Sequence, residues 1–257
     1  MKVVMIHGQN HKGSTYHIGR MIAEKIVGKE EITEFFLPRD LNHFCLGCYT
    51  CIEDDSKCPF YEEKNKIMAA VESADVLIFT TPTYCMRASA PMKSFIDLTF
   101  NYWMVHRPRK CMFTKRALVV STAAGSGTKT AIKDITDTLL YWGVPYVLSY
   151  GISVQAMGWD GVTEQKKQKI DKDTTKIAAK ILKKKHVKAG IKTKALFMIM
   201  RMMQKWAGVP VMQRKHIGSK MVGWERKDHG NNITLSGKGQ QRAIISFARQ
   251  RRRWYIF

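Results

Sequence analysis

The stretch that most constrains this chain is a strand, a turn and a helix within residues 2–28. Residues 3–6 form a short apolar run that predicts a buried parallel strand, and the turn 8–15 follows it. We expect Ser14 or Thr15 to cap a helix that ends at Gly28, with Ile18, Ile22 and Ile26 on one face. Free N–H groups and a positive helix dipole at such a loop favour an anion such as phosphate.

The residues of this turn indicate which kind of phosphate group it is suited to bind. Gly8 and Gly13 are spaced as in a triphosphate-binding loop, but Ser14 stands where that motif requires lysine. The dinucleotide pattern G-x-G-x-x-G is also absent from the turn. The turn therefore favours a single terminal phosphate, as FMN has. The alternative is an ordinary strand-to-helix turn with a good helix cap.

The rest of the first 150 residues alternates strands and helices. Strands are predicted at 32–37, 76–79, 117–120 and 144–150, and helices at about 62–72, at about 90–102 and up to residue 143. This alternation predicts an α/β fold with a parallel sheet covered on both faces. Five strands fit the flavodoxin-like order 2-1-3-4-5, a three-layer sandwich that binds ligands at the carboxyl ends of its strands. The segments 80–84 and 121–128, which follow two of these strands, are rich in Thr, Ser, Gly and Pro, which supports a flavin site there.

Charge divides the chain into two parts. Its 257 residues carry a net charge of +22, of which residues 1–162 contribute +2 and residues 163–257 contribute +20. The length and the 45% hydrophobic content fit one sizeable α/β domain with an appendage. We therefore expect a flavodoxin-like domain at 1–162 and a basic, mostly helical extension with a flexible end at 163–257. Any electrostatic partner is expected to bind the extension.

Targeting signals and membrane spans are not evident in the sequence. The amino-terminal segment has only a short apolar run after Lys2 and no small-residue cleavage site. No stretch reaches the roughly 18 uninterrupted apolar residues of a membrane span. We therefore expect a soluble, cytoplasmic protein.

Several motifs together resemble one family. Residues 8–15, the cysteine motif at 44–51, residues 81–84 with 91–97 downstream, and residues 122–127 resemble the flavodoxin-like NAD(P)H-dependent FMN reductases. The similarity covers about residues 1–155 and includes the iron-sulfur flavoproteins, a branch with a compact cysteine motif. The resemblance implies FMN as cofactor, NAD(P)H as co-substrate, and a homodimer or higher homo-oligomer.

The resemblance also implies the residues of an FMN site. The residues implied at the FMN phosphate are Gln9, Lys12, Ser14 and Thr15. Those implied along the isoalloxazine ring are Pro82, Thr83, Tyr84 and Cys85. Those implied at its other edge are Thr122, Ala123, Ala124 and Gly125. The flavin itself carries hydride chemistry, so no catalytic acid or base is expected in the protein. Tyr84 either forms an aromatic wall beside the ring or packs against the helix that follows it.

Four of the six cysteines lie within fourteen residues. Cys45, Cys48, Cys51 and Cys58 have the spacing C-x2-C-x2-C-x6-C, which is similar to compact iron-sulfur motifs. A zinc site is an alternative, although zinc cysteines usually come as separated pairs. In the third interpretation the thiols are free or redox-active beside the flavin.

Several other cysteine, histidine and aspartate residues are expected to have non-catalytic roles. Cys85 and Cys111 are expected to be a cleft-lining thiol and a packing thiol. His7, His11 and His17 are expected to be structural or exposed. Asp54 and Asp55 are expected to form an acidic turn.

The extension has features of its own. A helix with lysines around an apolar stripe is predicted at 164–185, and residues 195–206 are methionine-rich and apolar almost all round. This second segment either packs on the domain or on another subunit, or lies on an anionic membrane surface. Nucleic-acid binding is the least favoured alternative; it rests on the arginines of 249–253 beside Trp254 and Tyr255. Residues 230–239 are rich in Gly, Asn and Ser and are expected to be flexible.

Three function classes follow from these features. The first is an FMN-dependent NAD(P)H oxidoreductase that reduces a quinone, a flavin, or a nitro or azo compound. The second is an iron-sulfur flavoprotein that carries electrons between protein partners. The third is a basic binding module without redox chemistry, which would not take up FMN.

Overall fold

The computed structural model describes residues 1–184 and 186–206, and all of them lie in one compact unit. The predictions for Lys185, for the flexible stretch 230–239 and for the aromatic and arginine cluster 249–255 lie outside the described residues.

The core of the fold is a six-stranded sheet. Its strands are β1 (Val3–His7), β2 (Ile32–Phe36), β3 (Val76–Tyr84), β4 (Arg87–Ala88), β5 (Arg116–Ala123) and β6 (Tyr146–Ser153). Five of them are parallel in the order β2-β1-β3-β5-β6, which confirms the predicted flavodoxin-like topology. The short strand β4 is an addition, because it pairs antiparallel with the end of β3.

Helices cover both faces of the sheet. They are α1 (Ser14–Ile26), α2 (Thr50–Glu53), α3 (Tyr61–Ser73), α4 (Ala90–Leu98), α5 (Thr128–Trp142), α6 (Glu164–Lys183) and α7 (Ile191–Trp206). Successive strand residues face opposite sides, so Val4 and Ile6 pack with α3, α4 and α5, whereas Val3 and Met5 pack with α1 and α6. The three-layer sandwich is therefore complete only with α6.

Helix α6 joins the layer through apolar and polar contacts. Ile170 and Ile181 of α6 are fully buried in the core that α1 also lines. Lys25 Nζ of α1 donates to Asp171 Oδ1 of α6 at 2.5 Å, and Arg116 Nη1 of β5 donates to the Ile181 carbonyl at 3.3 Å. The expected division of the chain at residue 162 stays a prediction.

The helix cap predicted in the first turn is wrong. Gly13 occupies the N-cap of α1, and Ser14 and Thr15 are the first two helical residues. The helix ends at Ile26, and the Val27 N–H closes it by donating to the Ala23 carbonyl, so Gly28 is not its last residue. The turn therefore presents its first helical N–H groups without a side-chain cap among the described residues.

Several other element boundaries differ from the sequence prediction, and two of them have a clear physical cause. Strand β3 continues through residues 80–84, which were expected to form a loop, because β5 extends beside it and pairs Val120 with Thr80 and Thr122 with Pro82. Helix α4 ends at Leu98 rather than at residue 102. Thr99 Oγ1 donates to the Phe95 carbonyl at 2.8 Å, and a 3-10 turn at Phe100–Tyr102 follows.

Across residues 1–184 and 186–206, no helix combines the length and the apolar character needed to cross a bilayer.

Candidate functional site

Three segments meet at the carboxyl edge of the sheet. Hydroxyl contacts join them: Thr15 Oγ1 lies 2.5 Å from Thr122 Oγ1, and Thr83 Oγ1 lies 3.0 Å from Ser121 Oγ. Ser89 Oγ donates to the Gly8 carbonyl at 2.5 Å. The ends of β1, β3 and β5 therefore form one connected edge, where the sequence predicted a ligand site.

The segment after β1 has the features of a site for a polar ligand. Gln9 is only 4% exposed, and its Nε2 donates to the His11 carbonyl at 3.2 Å. Its Oε1 is buried and has no hydrogen-bond partner among the described residues. Ser14 and Thr15 are buried next to it in the first turn of α1. A buried, unpaired amide oxygen is costly, so this segment is suited to a bound polar group.

Gly8 lets this segment pack tightly against the segment after β3. A methyl group in place of its hydrogen would lie 2.5 Å from Ser89 Oγ and 2.9 Å from Met92 Cβ. Ser89 was not among the predicted site residues, although it fixes the Gly8 carbonyl. Nothing in its local sequence indicated this role, because the contact spans 81 residues.

The end of β3 forms a tight hairpin with β4. Cys85 and Met86 form its two-residue turn and have positive φ angles of 48° and 64°, which non-glycine residues adopt rarely. Tyr84 is 50% exposed and Cys85 is exposed. The turn thus presents an aromatic ring and a thiol beside the carboxyl edge, and the Tyr84 ring remains accessible to a ligand.

The segment after β5 lies against this hairpin. Thr122 and Ala123 are buried, whereas Ala124 and Gly125 are exposed. Gly127 has φ +98°, and a methyl group there would lie 2.8 Å from Thr83 Cγ2 and 2.9 Å from Met86 Sδ. Gly127 therefore allows the two segments to approach, a role that its sequence context alone did not indicate.

Of the predicted phosphate residues, Lys12 is the exposed one. Its Nζ lies 5.5 Å from the centre of the Tyr16 ring. Gln9, Ser14 and Thr15 are buried around the same turn. The structure thus places these four predicted residues on one segment and joins it, through Thr15 and Thr122, to the segment after β5.

A buried network of hydrogen bonds lies at the end of β1, next to the turn. His7 is fully buried, its Nδ1 lies 2.7 Å from Thr80 Oγ1, and its Nε2 lies 3.1 Å from Glu34 Oε1. Arg20 Nη1 donates to Glu34 Oε2 at 2.8 Å. Burial alone would raise the pKa of Glu34, but the hydrogen bond from His7 and the charge of Arg20 outweigh it and lower the pKa. His7 is therefore structural, as expected.

The cysteine segment lies outside this edge network. Cys48 is exposed, and its hydrogen bond with Thr50 lowers the pKa of the thiol. Cys51 is buried, and burial raises the pKa of its thiol to about 11. Among the described residues, no three His, Cys, Asp or Glu side chains are placed to share a metal ion. As they stand, the cysteines do not form a ligand set for an iron-sulfur cluster or for zinc.

Asp55 anchors the cysteine segment and corrects one expectation. Asp54 is half-buried and accepts from the Ser56 N–H, but Asp55 is only 6% exposed and does not belong to a surface turn. It accepts hydrogen bonds from Lys64 Nζ at 2.5 Å, Asn101 Nδ2 at 2.9 Å and the Tyr102 hydroxyl at 3.2 Å. Lys64 is itself fully buried.

The two remaining cysteines differ in exposure. Cys111 is half-buried, and burial raises the pKa of its thiol, whereas Cys85 is exposed in the hairpin turn.

Comparison with known proteins adds a family match. A family model described as NADPH-dependent FMN reductase matches residues 1–157. An iron-sulfur flavoprotein of Methanocaldococcus jannaschii is 28% identical over 148 residues, which cover 54% of this chain and 72% of that protein. An iron-sulfur flavoprotein of Archaeoglobus fulgidus is 28% identical over 113 residues, which cover 43% of this chain and half of that protein.

A solved structure agrees in fold. An FMN-dependent NADH-azoreductase from Bacillus anthracis, solved in complex with FMN, superposes with a TM-score of 0.50 at 13% identity. The superposition covers 71% of this chain and the whole of that protein. At this identity the similarity establishes the fold alone.

Proposed function

The chain belongs to the NADPH-dependent FMN reductase family, and we propose that its carboxyl edge holds FMN and passes reducing equivalents from NADPH or NADH to a small-molecule acceptor. The observation that carries this placement is the turn after β1, where a buried Gln9 oxygen lacks a partner among the described residues beside an uncapped helix end.

The phosphate of FMN fits the turn after β1. The first-turn N–H groups of α1 are free of a side-chain cap among the described residues, and the helix dipole favours negative charge there. The Ser14 and Thr15 hydroxyls and the Lys12 ammonium would add hydrogen bonds and charge. The unpaired Gln9 Oε1 is an acceptor, so it suits a hydroxyl of the ribityl chain better than a phosphate oxygen.

The isoalloxazine ring fits between the hairpin and the segment after β5. Pro82, Thr83, Tyr84 and Cys85 would line one side, and Thr122, Ala123, Ala124 and Gly125 the other. When bound, FMN supplies the hydride chemistry between the nicotinamide and the acceptor. The protein orients the ring, limits water around it and offers the half-exposed Tyr84 as a wall for flat acceptors. We propose that these acceptors are quinones, flavins, or nitro or azo compounds.

A homodimer is part of the proposal. Phe44, Leu46 and Tyr49 of the cysteine segment are 72%, 67% and 64% exposed. Three exposed large apolar side chains within six residues make this segment suited to contact with a second copy of the chain.

The phosphate placement can be tested with two ligands. Apoprotein should bind FMN at least about tenfold more tightly than riboflavin, which lacks the phosphate. Gln9→Ala should weaken FMN binding, whereas Asn10→Ala, a change at the exposed neighbouring position, should not. Equal affinity for FMN and riboflavin would refute the phosphate site, and absence of FMN binding would refute the proposed function.

The ring placement can be tested by thiol protection. Cys85 and Cys48 are both exposed, so an alkylating reagent should modify both in apoprotein. Saturating FMN should slow modification of Cys85 and leave that of Cys48 unchanged, as peptide mass spectrometry would show. Unchanged modification of Cys85 would contradict the ring placement.

The second candidate is an electron carrier with an iron-sulfur cluster. It is favoured by the cysteine spacing, and the two archaeal relatives are named iron-sulfur flavoproteins. This function would require the cysteine segment to rearrange, since the described side chains do not converge on a metal. Anaerobically purified protein should then contain about four iron atoms per chain, and less than a tenth of that amount would exclude it.

A further inference from the structure

Helix α7 has two apolar faces, and only one of them is covered. Residues 193, 196, 197 and 200 share one face; Thr193 is buried, and Phe197 meets Phe113 edge-to-face with ring centres 5.7 Å apart. This face docks the helix on the body of the protein. The spacing of three and four residues is that of one side of an α-helix.

The opposite face of α7 is apolar and exposed. It carries Ile191, Met198, Ile199, Met202 and Met203, whose exposed fractions are 87%, 45%, 48%, 55% and 55%. Five exposed large apolar side chains on one helix face are more than a surface ordinarily carries. We call these five residues the outer face.

The segment that carries the outer face has only positive charges. Residues 174–206 contain no Asp or Glu, and the exposed Lys192, Lys194 and Arg201 lie on α7 itself. Lys183, the last residue of α6, is exposed, as are Lys184 and Lys188 between α6 and α7. Exposed apolar side chains flanked by positive charges are suited to a partner surface that has negative charges on its outside and an apolar layer underneath them.

We propose that the outer face of α7 lies in the interface of an anionic phospholipid membrane. The methionine and isoleucine side chains would enter the boundary between headgroups and acyl chains, while the flanking lysines would contact lipid phosphates and carboxylates. Because the inner face stays packed on the protein, the helix would lie parallel to the membrane and carry the whole folded unit.

Vesicle sedimentation of the full-length protein tests the proposal. Binding to vesicles of phosphatidylcholine with roughly a third phosphatidylserine should exceed binding to pure phosphatidylcholine by at least about tenfold. It should fall when the salt concentration rises from about 0.1 M to about 1 M, because salt screens the lysine charges.

Matched variants separate the outer face from the charge of the extension as a whole. Met198→Gln/Ile199→Gln/Met202→Gln keeps the net charge and should reduce binding to anionic vesicles at least about tenfold. Leu140→Gln/Met157→Gln makes the same kind of change at positions that are 41% and 100% exposed elsewhere and should bind as the parent does. FMN content and circular dichroism should be unchanged in both.

Three outcomes would overturn the proposal. One is equal vesicle binding by the parent and the outer-face variant, which would place any lipid contact elsewhere on the basic extension. Another is absence of lipid binding together with a self-association that the outer-face variant loses, which would make a second copy the occupant. The third is binding to an oligonucleotide but not to vesicles, which would make the partner a nucleic acid.

Discussion

At the scale of single residues, the buried contacts of Asp55 are the least expected feature of the chain. A lysine and an aspartate are seldom fully buried unless they are paired, and here Lys64 and Asp55 pair at 2.5 Å. Asn101 and Tyr102 satisfy the remaining carboxylate positions. The sequence could not predict this, because its partners lie 9, 46 and 47 residues away and a pair of aspartates is typical of a surface turn.

We predict that Asp55→Asn lowers the free energy of unfolding by about 3–5 kcal/mol, because it leaves the Lys64 ammonium buried without an opposite charge. Urea denaturation measures this. Asp54→Asn is the control: its carboxylate is exposed, so the loss should stay within about 1 kcal/mol. A loss of equal size in both variants would contradict the role of the buried pair.

The two glycines of the segment after β5 give a second residue-scale prediction. Gly127→Ala combines a positive φ with contacts of 2.8 Å and 2.9 Å to Thr83 and Met86, so it should destabilise the protein by at least about 1–2 kcal/mol and weaken FMN binding. A Cβ at Gly125 would meet no described atom within 4 Å, so Gly125→Ala should change stability by less than about 0.5 kcal/mol. Thermal denaturation and FMN titration of both variants check this.

At the scale of elements, the apolar runs located the strands, but the ends of strands depended on their neighbours. Residues 80–84 have the composition of a loop, yet they extend β3 because β5 pairs with residues 80–82 and β4 pairs with Thr83 and Tyr84. The hairpin to β4 was missed because its turn uses Cys85 and Met86 in place of glycine or asparagine. The same hairpin positions Tyr84, so candidate site residues could be proposed from the resemblance, whereas their arrangement could not be predicted.

The pairing of β1 with β2 leads to a prediction about pH. Because the pKa of Glu34 is lowered in the folded protein, its ionised form stabilises the fold above its ordinary pKa of 4.5. That contribution is lost as the pH falls from 4.5 through the lower folded value. We predict that Glu34→Gln narrows the gap in unfolding free energy between pH 7 and pH 4, as denaturant titrations at both pH values would show. An unchanged gap would mean that Glu34 does not contribute.

At the scale of the whole molecule, helix α6 shows which features of the fold charge composition predicts and which it does not. The change in charge at residue 163 marks a real compositional boundary, yet the first residues after it include Ile170 and Ile181 of the core. Composition identifies which side chains are charged, but the stripe of apolar residues decides which helix completes a layer.

We predict that a chain ending at residue 162 loses at least about 3 kcal/mol of unfolding free energy, because it leaves the α1 face of the sheet without Ile170 and Ile181. A chain ending at residue 190 keeps α6 and should retain the stability and the FMN affinity of the full chain. Denaturant unfolding of the two truncated chains, beside the parent, measures the difference. Equal stability of both truncations would show that residues 1–162 form an independent domain.

Strand β5 connects the proposed flavin site, at its carboxyl end, to the contact with α7, near its amino end. The hydroxyl-rich segment 121–128 begins within its last three residues, whereas Phe113, which holds α7, precedes its first. Eight residues of strand span about 25 Å, so the proposed flavin cleft and the contact that holds α7 lie about that far apart along β5. An acceptor that reaches that cleft would therefore approach the molecule at the end of β5 opposite the α7 contact.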